Sequence, residues 1–190
     1  MNYDAQLAIQ KELDSGERLL WAGAPKQGTL LKSSDIFMIP FSLLWGGFAI
    51  FWETMALQIP SNKAGTVDIV FPLFGIPFVL VGLYMIFGRF IYDSRKRSRT
   101  FYGLTDQRAI IVSGLFGKNV KSLNLKTMSE VSLSENQNGY GTIVFGQENP
   151  MASMFLGGGF PGMGGSTTPK FELIENAKQV YNQLRAQQKN

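Results

Sequence analysis

The chain contains neither cysteine nor histidine. The first absence excludes disulfides and cysteine metal sites, and it fits a reducing compartment. The second removes the usual general base and the commonest zinc ligand. No carboxylate pair, nucleophile–base set or metal-ligating cluster stands out in what remains, so neither an enzymatic centre nor a cofactor is expected. The glycines lack the G-x-x-x-x-G-K-[ST] spacing that cradles nucleotide phosphates. A net charge of +4 is too mild to argue for nucleic acid as a partner.

Charge is also missing from two long apolar segments, Ile36–Trp52 and Ile69–Gly88. The second has 20 residues, which as a helix spans about 30 Å, the hydrocarbon thickness of a bilayer. The first has 17, at the short end of the spanning range, with Trp45 and Trp52 placed for an interface. A soluble core would spread such apolarity at period 2 or 3.6 instead of concentrating it in two blocks. The segments predict a two-helix transmembrane hairpin over residues 36–92 with an external loop at 53–68. Lys11, Arg18, Lys26 and Lys32 precede it, and Arg89, Arg95, Lys96, Arg97 and Arg99 follow it, whereas the loop carries only Lys63. The positive-inside rule then places both termini in the cytoplasm. The 35 residues ahead of the hairpin, with acids among the bases, do not read as a short basic leader. Their acids Asp4, Glu12, Asp14 and Glu17 are expected on the solvated face of a short helix marked by Leu7 and Leu13.

Three features of these segments are candidate contact sites. Arg95, Lys96, Arg97 and Arg99 sit at headgroup depth, as a topology stop or as selective contacts to anionic lipid. Gly75 and Gly82, seven apart, share a helix face and permit close helix packing, or reflect the ordinary tolerance of glycine in membrane helices. The Gly- and Met-rich segment 147–168 carries Met151, Met154, Phe155, Leu156, Phe160 and Met163. It reads either as a disordered loop or as a hydrophobic contact loop for the membrane surface or a neighbouring protomer.

From residue 93 onward the pattern shortens into alternating runs. Thr100–Leu104, Gln107–Ser113, Lys121–Thr127, the run around Val131 and Leu133, and Tyr140–Phe145 predict five strands of an antiparallel meander. Phe171, Ile174, Ala177, Tyr181 and Leu184 predict a closing amphipathic helix. Arg108, beside the Thr105-Asp106 turn, is either a phosphate ligand or a paired strand residue supporting the hairpin.

Gly16-Glu17-Arg18-Leu19-Leu20-Trp21-Ala22-Gly23-Ala24-Pro25 resembles the GE-x-x-L-W-x-G-x-P opening of bacterial membrane proteins with a pleckstrin-homology-like (PH-like) domain. Tyr102-Gly103-Leu104-Thr105-Asp106-Gln107-Arg108 is similar to their Y-x-L-T-[ND]-x-R signature, Gly141–Gly146 to a late-strand motif, and Phe171–Tyr181 to their final helix. The segment 147–168 departs from that pattern in length and in its Gly and Met content. The resemblance implies a membrane α-helical hairpin plus an α+β PH-like domain over 93–190, its curved antiparallel sheet or partial barrel capped by the C-terminal helix. It implies a multi-pass protein of the bacterial inner membrane, without catalysis. Membrane lipids, further copies of the chain in a homo-oligomer, and a membrane-protein partner are the expected contacts. The function expected is an oligomeric interaction platform at the cytoplasmic surface; the alternative is an accessory subunit of a transporter, channel or lipid-transfer assembly.

Overall fold

The computed structural model describes residues 2–31, 35–58, 66–115, 117–128, 130–136, 138–147 and 168–189, with the backbone alone over 66–71. They fall into two compact units, Met1–Gly28 with Asp93–Asn190, and Thr29–Tyr92.

The first unit holds seven strands among the described residues, two more than the sequence predicts. Strands β1 (Leu19–Gly23), β2 (Phe101–Thr105), β3 (Arg108–Ser113) and β4 (Asn119–Asn124) form one antiparallel sheet in that order. Strands β5 (Val131–Glu135), β6 (Tyr140–Phe145) and β7 (Lys170–Glu175) form a second. The expected curved sheet or partial barrel is built as these two antiparallel sheets. Their inner faces and the C-terminal helix α5 (Ala177–Lys189) enclose a core of Tyr102, Leu104, Ile111, Ile143, Phe171, Ile174, Val180 and Leu184. Phe171 sits at its centre, stacked on Tyr102 at 4.8 Å and met edge-on by Phe145 at 4.8 Å.

The outer face of the first sheet is covered as well. Helix α1 (Tyr3–Gln10), capped by the Asn2 side chain, buries Ala5 and Ile9 against Ala22, Ile110 and Val112. Gly103 is the notch that receives Ile9, since a Cβ there would collide with the Ile9 side chain. With both faces covered, β3 reads Ala109-Ile110-Ile111-Val112 without alternation, as a fully buried strand should.

The closing helix starts later than its spacing predicts. Phe171 and Ile174 belong to β7, and the helix begins at Ala177. On β6, Gly141 and Ile143 are two residues apart, while their partners Ile174 and Phe171 are three apart. Leu173, at φ 47°, is the extra residue of this bulge. The bulge turns the period of 2 into a spacing of 3, which imitates a helix. Asn176, at φ 51°, then turns the chain, and its carbonyl accepts from Gln179 and Val180 to open α5.

The second unit contains α2 (Asp35–Leu57) and α3 (Thr66–Leu83), followed by a π-helical turn (Tyr84–Gly88) and α4 (Arg89–Ser98), which runs on beyond it. Asp35–Leu57 and Pro72–Ser98 are each long and apolar enough to cross a membrane. Only 22% of the apolar window of each is buried within the chain, and Ile36, Leu44, Phe48, Phe51 and Phe74 project outward. That surface is unlike the core helix of a water-soluble domain. Helix α2 extends five residues past the predicted end at Trp52, so Glu53 lies within the helix and not in the expected loop.

Candidate functional site

The most connected polar group in the domain is the Arg108 guanidinium, at the start of β3. Its Nε and Nη2 donate to Glu17 Oε1 and Oε2, both at 2.8 Å, in a bidentate fork. Nη2 also reaches Asp14 Oδ2 at 2.8 Å and the Glu12 carbonyl at 3.0 Å, and Nη1 donates to Ser122 Oγ at 3.1 Å. The Thr105 hydroxyl donates to Glu17 Oε1 at 2.7 Å and accepts from the backbone N–H of Gln107 and Arg108, closing the β2–β3 turn. Asp106 Oδ1 accepts from the Arg18 amide at 3.0 Å, and its own amide donates to the Arg18 carbonyl at 3.2 Å.

The opening motif at 16–18 and the turn motif at 105–108 are thus two halves of one network. Every nitrogen of Arg108 has a partner within the domain, so the arginine supports the fold as a paired strand residue. Glu17 is not solvated as expected: its side chain is 1% exposed. The Arg108 hydrogen bonds, aided by the Asp14 amide and Thr105, outweigh burial and hold its pKa down at about 2. The same contacts raise that of Arg108. Burial, first of all, raises the Tyr102 phenol. The exposed Tyr140 phenol is raised chiefly by donating to Glu175 Oε1 at 2.9 Å.

The basic run is not exposed along its whole length. Arg95, Lys96 and Arg99 are exposed, whereas Arg97 is 5% exposed. The Arg97 guanidinium pairs with Asp93 at 2.7 Å and donates to the Gly28 carbonyl at 2.6 Å. This charge is used to join two stretches of the domain's own chain. Arg99 donates to the Leu115 carbonyl at 2.6 Å and pairs with no acid among the described residues.

Within the second unit, a Cβ on Gly82 would lie 2.9 Å from the Gly46 Cα, so these glycines mark the contact of the two helices. Gly75 instead leaves room for the Glu53 carboxylate and Trp52. Asp35 and Arg89, absent from the sequence-based site, pair at 2.8 Å and are both buried. Met151, Met154, Phe155, Leu156, Phe160 and Met163 lie outside the described residues. Among the described residues, no three acidic side chains are grouped so as to hold a metal.

Sequence reasoning quoted Glu17 and Arg108 in separate motifs without pairing them. The signal was an acid and a base placed at fixed offsets from apolar strand residues, 91 positions apart. Lys11 and Lys118, which line a cleft beside Arg99, had no such signal.

No curated protein and no solved structure matches the chain. A family model, the bacterial PH domain, matches residues 56–188. The match omits α1, β1 and Glu17 but takes in the second apolar helix, six strands and nearly all of α5. Two apolar helices, seven antiparallel strands in unclosed sheets and a C-terminal helix are the architecture expected of such a protein, and the chain belongs to the bacterial PH domain family.

Proposed function

We propose that the chain is a non-catalytic anchor protein of the bacterial inner membrane. Its PH domain works as an oligomeric interaction platform on the cytoplasmic face. The observation that carries this reading is topological. The apolar helices are inserted between β1 and β2, which are neighbouring strands with Gly23 opposite Tyr102. A domain attached through both ends of one hairpin connection loses far more rotational freedom than one hanging from a single linker. Arg95 and Lys96 lie exposed on the returning helix, and Arg99 immediately follows it; each is worth about 1 kcal/mol near an anionic leaflet. Glycine-lined contacts such as Gly46–Gly82 hold the hairpin as a unit. Self-association multiplies weak contacts of each domain to a shared surface.

The test has two parts. Tags at either terminus should be shielded in sealed right-side-out vesicles and accessible in inverted ones. Crosslinking in native membranes, followed by mass measurement in a gentle detergent, should give a multiple of the single-chain mass. Termini on opposite faces would overturn the anchoring, and a single-chain mass in both settings would overturn the platform.

A further inference from the structure

A sheet accepts a further strand where its edge is regular, uncovered and free of proline. The two sheets end in four edge strands, β1, β4, β5 and β7. Strand β1 is kinked by a bulge at Leu20, and the chain beyond it is tied to β7, the Lys26 amide donating to the Leu173 carbonyl at 2.9 Å. Strand β7 has its own bulge at Leu173, and β5 starts against α5, with the Tyr181 hydroxyl 3.5 Å from the Val131 carbonyl. Strand β4 is different. It pairs with β3 over all six residues without a register shift, and five of the six are exposed. The direction of its free groups follows from the ladder. The Leu125 amide donates at 3.1 Å to the carbonyl of Gln107, directly opposite it. Bonded and non-bonded pairs alternate in an antiparallel ladder, so Asn119, Lys121 and Leu123 aim their main-chain groups at β3. Val120, Ser122 and Asn124 aim theirs outward. The Asn124 carbonyl accepts from the Thr127 hydroxyl at 3.2 Å. The outward amides and carbonyls of Val120 and Ser122 have no partner among the described residues.

Charge selects what pairs there. From Gly114 to Met128 the chain carries three lysines and no acid. Lys118 is paired with Glu12, whereas Lys121 and Lys126 pair with no acid among the described residues. A second copy laid antiparallel on this edge and centred on the strand brings the two Lys121 side chains together. Like charges on facing strands repel, so the edge disfavours its own copy and suits a strand that carries acid. We propose that β4 is a docking edge for an extended acidic segment of another protein, which joins the first sheet as a fifth strand. The main chain of that segment bonds Val120 and Ser122, and its carboxylates meet Lys121 and Lys126. Such a partner deepens the platform reading above and rests on it for the cytoplasmic setting; the pairing chemistry does not.

The test uses the full chain in phosphatidylcholine nanodiscs and a fluorescent peptide of alternating valine and glutamate, about eight residues long. Its anisotropy should report saturable binding, about tenfold tighter than that of the matching valine–lysine peptide. Val120→Pro removes one outward amide while leaving the ladder to β3 in place, and should weaken binding about fivefold. Lys121→Glu should weaken it by a similar factor, and Lys178→Glu, at an exposed position of α5, should not change it. All variants are compared at equal folded fraction, read from thermal melting. Absence of saturable binding by the acidic peptide would overturn the proposal. So would a Val120→Pro chain that binds like wild type while Lys121→Glu binds weakly, the mark of diffuse charge without strand addition. In this cysteine-free chain, Val120→Cys decides the competing occupant. An oxidant-induced disulfide between two copies in native membranes would make β4 a contact between copies and would equally overturn the proposal. Termini on opposite faces, or a single-chain mass, would remove the platform and leave the peptide result standing.

Discussion

Arg108 and Glu17 are joined by a fork of two hydrogen bonds at 2.8 Å, with Thr105 and the Asp14 amide completing the carboxylate's shell. A half-buried pair of this kind is expensive to break from one side, because the remaining charge is left without its partner. Glu17→Gln is expected to lower stability by about 2 kcal/mol, less than a fully buried pair because Arg108 keeps some contact with water. The thermal midpoint of the full chain in detergent would measure it. The pH dependence follows from the pKa of about 2, which lies below the ordinary 4.5 of the unfolded chain. The native carboxylate takes up its proton less readily than the unfolded one, so its contribution is complete above pH 4.5 and is lost as the pH falls toward 2. Wild type and Glu17→Gln should therefore converge in midpoint over that interval, with at most about 3 kcal/mol at stake. Parallel curves would show that Glu17 has no such role. The two residues were visible in the sequence as motif letters, but their meeting was not, because a contact between positions 91 apart leaves no local periodicity.

Among the elements, those whose local pattern and tertiary setting agree were legible in advance. Strand β6 occupies Tyr140–Phe145 as its alternation predicts. Strand β7 misled because its bulge at Leu173 spaces two buried side chains three apart. Strand β1 was hidden for another reason: Leu19-Leu20-Trp21-Ala22-Gly23 does not alternate, and its partner β2 follows only after the apolar helices. Helix α1 depends on the notch at Gly103. Gly103→Val would drive its side chain into Ile9, and overpacking of this kind costs about 1–3 kcal/mol. The helix is the peripheral partner, so amide exchange should quicken over Tyr3–Gln10 while β6 and α5 stay protected. Uniform loss of protection would mean that α1 is integral to the core. In the other unit, Gly82→Leu should separate the helices at Gly46, read as earlier proteolysis of the hairpin in detergent and a lower yield of folded chain. Gly47→Leu on α2, where a Cβ meets nothing within 4 Å, should leave both unchanged.

For the whole molecule, chain order and domain order differ. The first strand of the PH domain is made before the apolar helices and the remaining six strands after them. The domain cannot complete its first sheet until both helices have been synthesised, because β1 has Thr105 to Tyr102 as its ladder partners. Folding of the domain and placement of the hairpin are therefore coupled through one strand pair. The coupling makes a prediction that separates architecture from anchoring. Gly23 and Tyr102 are opposite each other, so the insertion replaces what would otherwise be a short hairpin connection. Deleting residues 29–92 and joining Gly28 to Asp93 should give a folded chain that stays in solution without detergent and unfolds in one cooperative step. A chain beginning at Asp93 lacks β1 and Glu17, leaving the edge of β2 unpaired and Arg108 without its carboxylate, and it should aggregate. Adding a peptide of residues 1–28 during refolding should recover part of the soluble fraction. If the chain starting at Asp93 is as soluble and as cooperative as the joined one, β1 is a decoration, and the domain closes without the strand that precedes the hairpin.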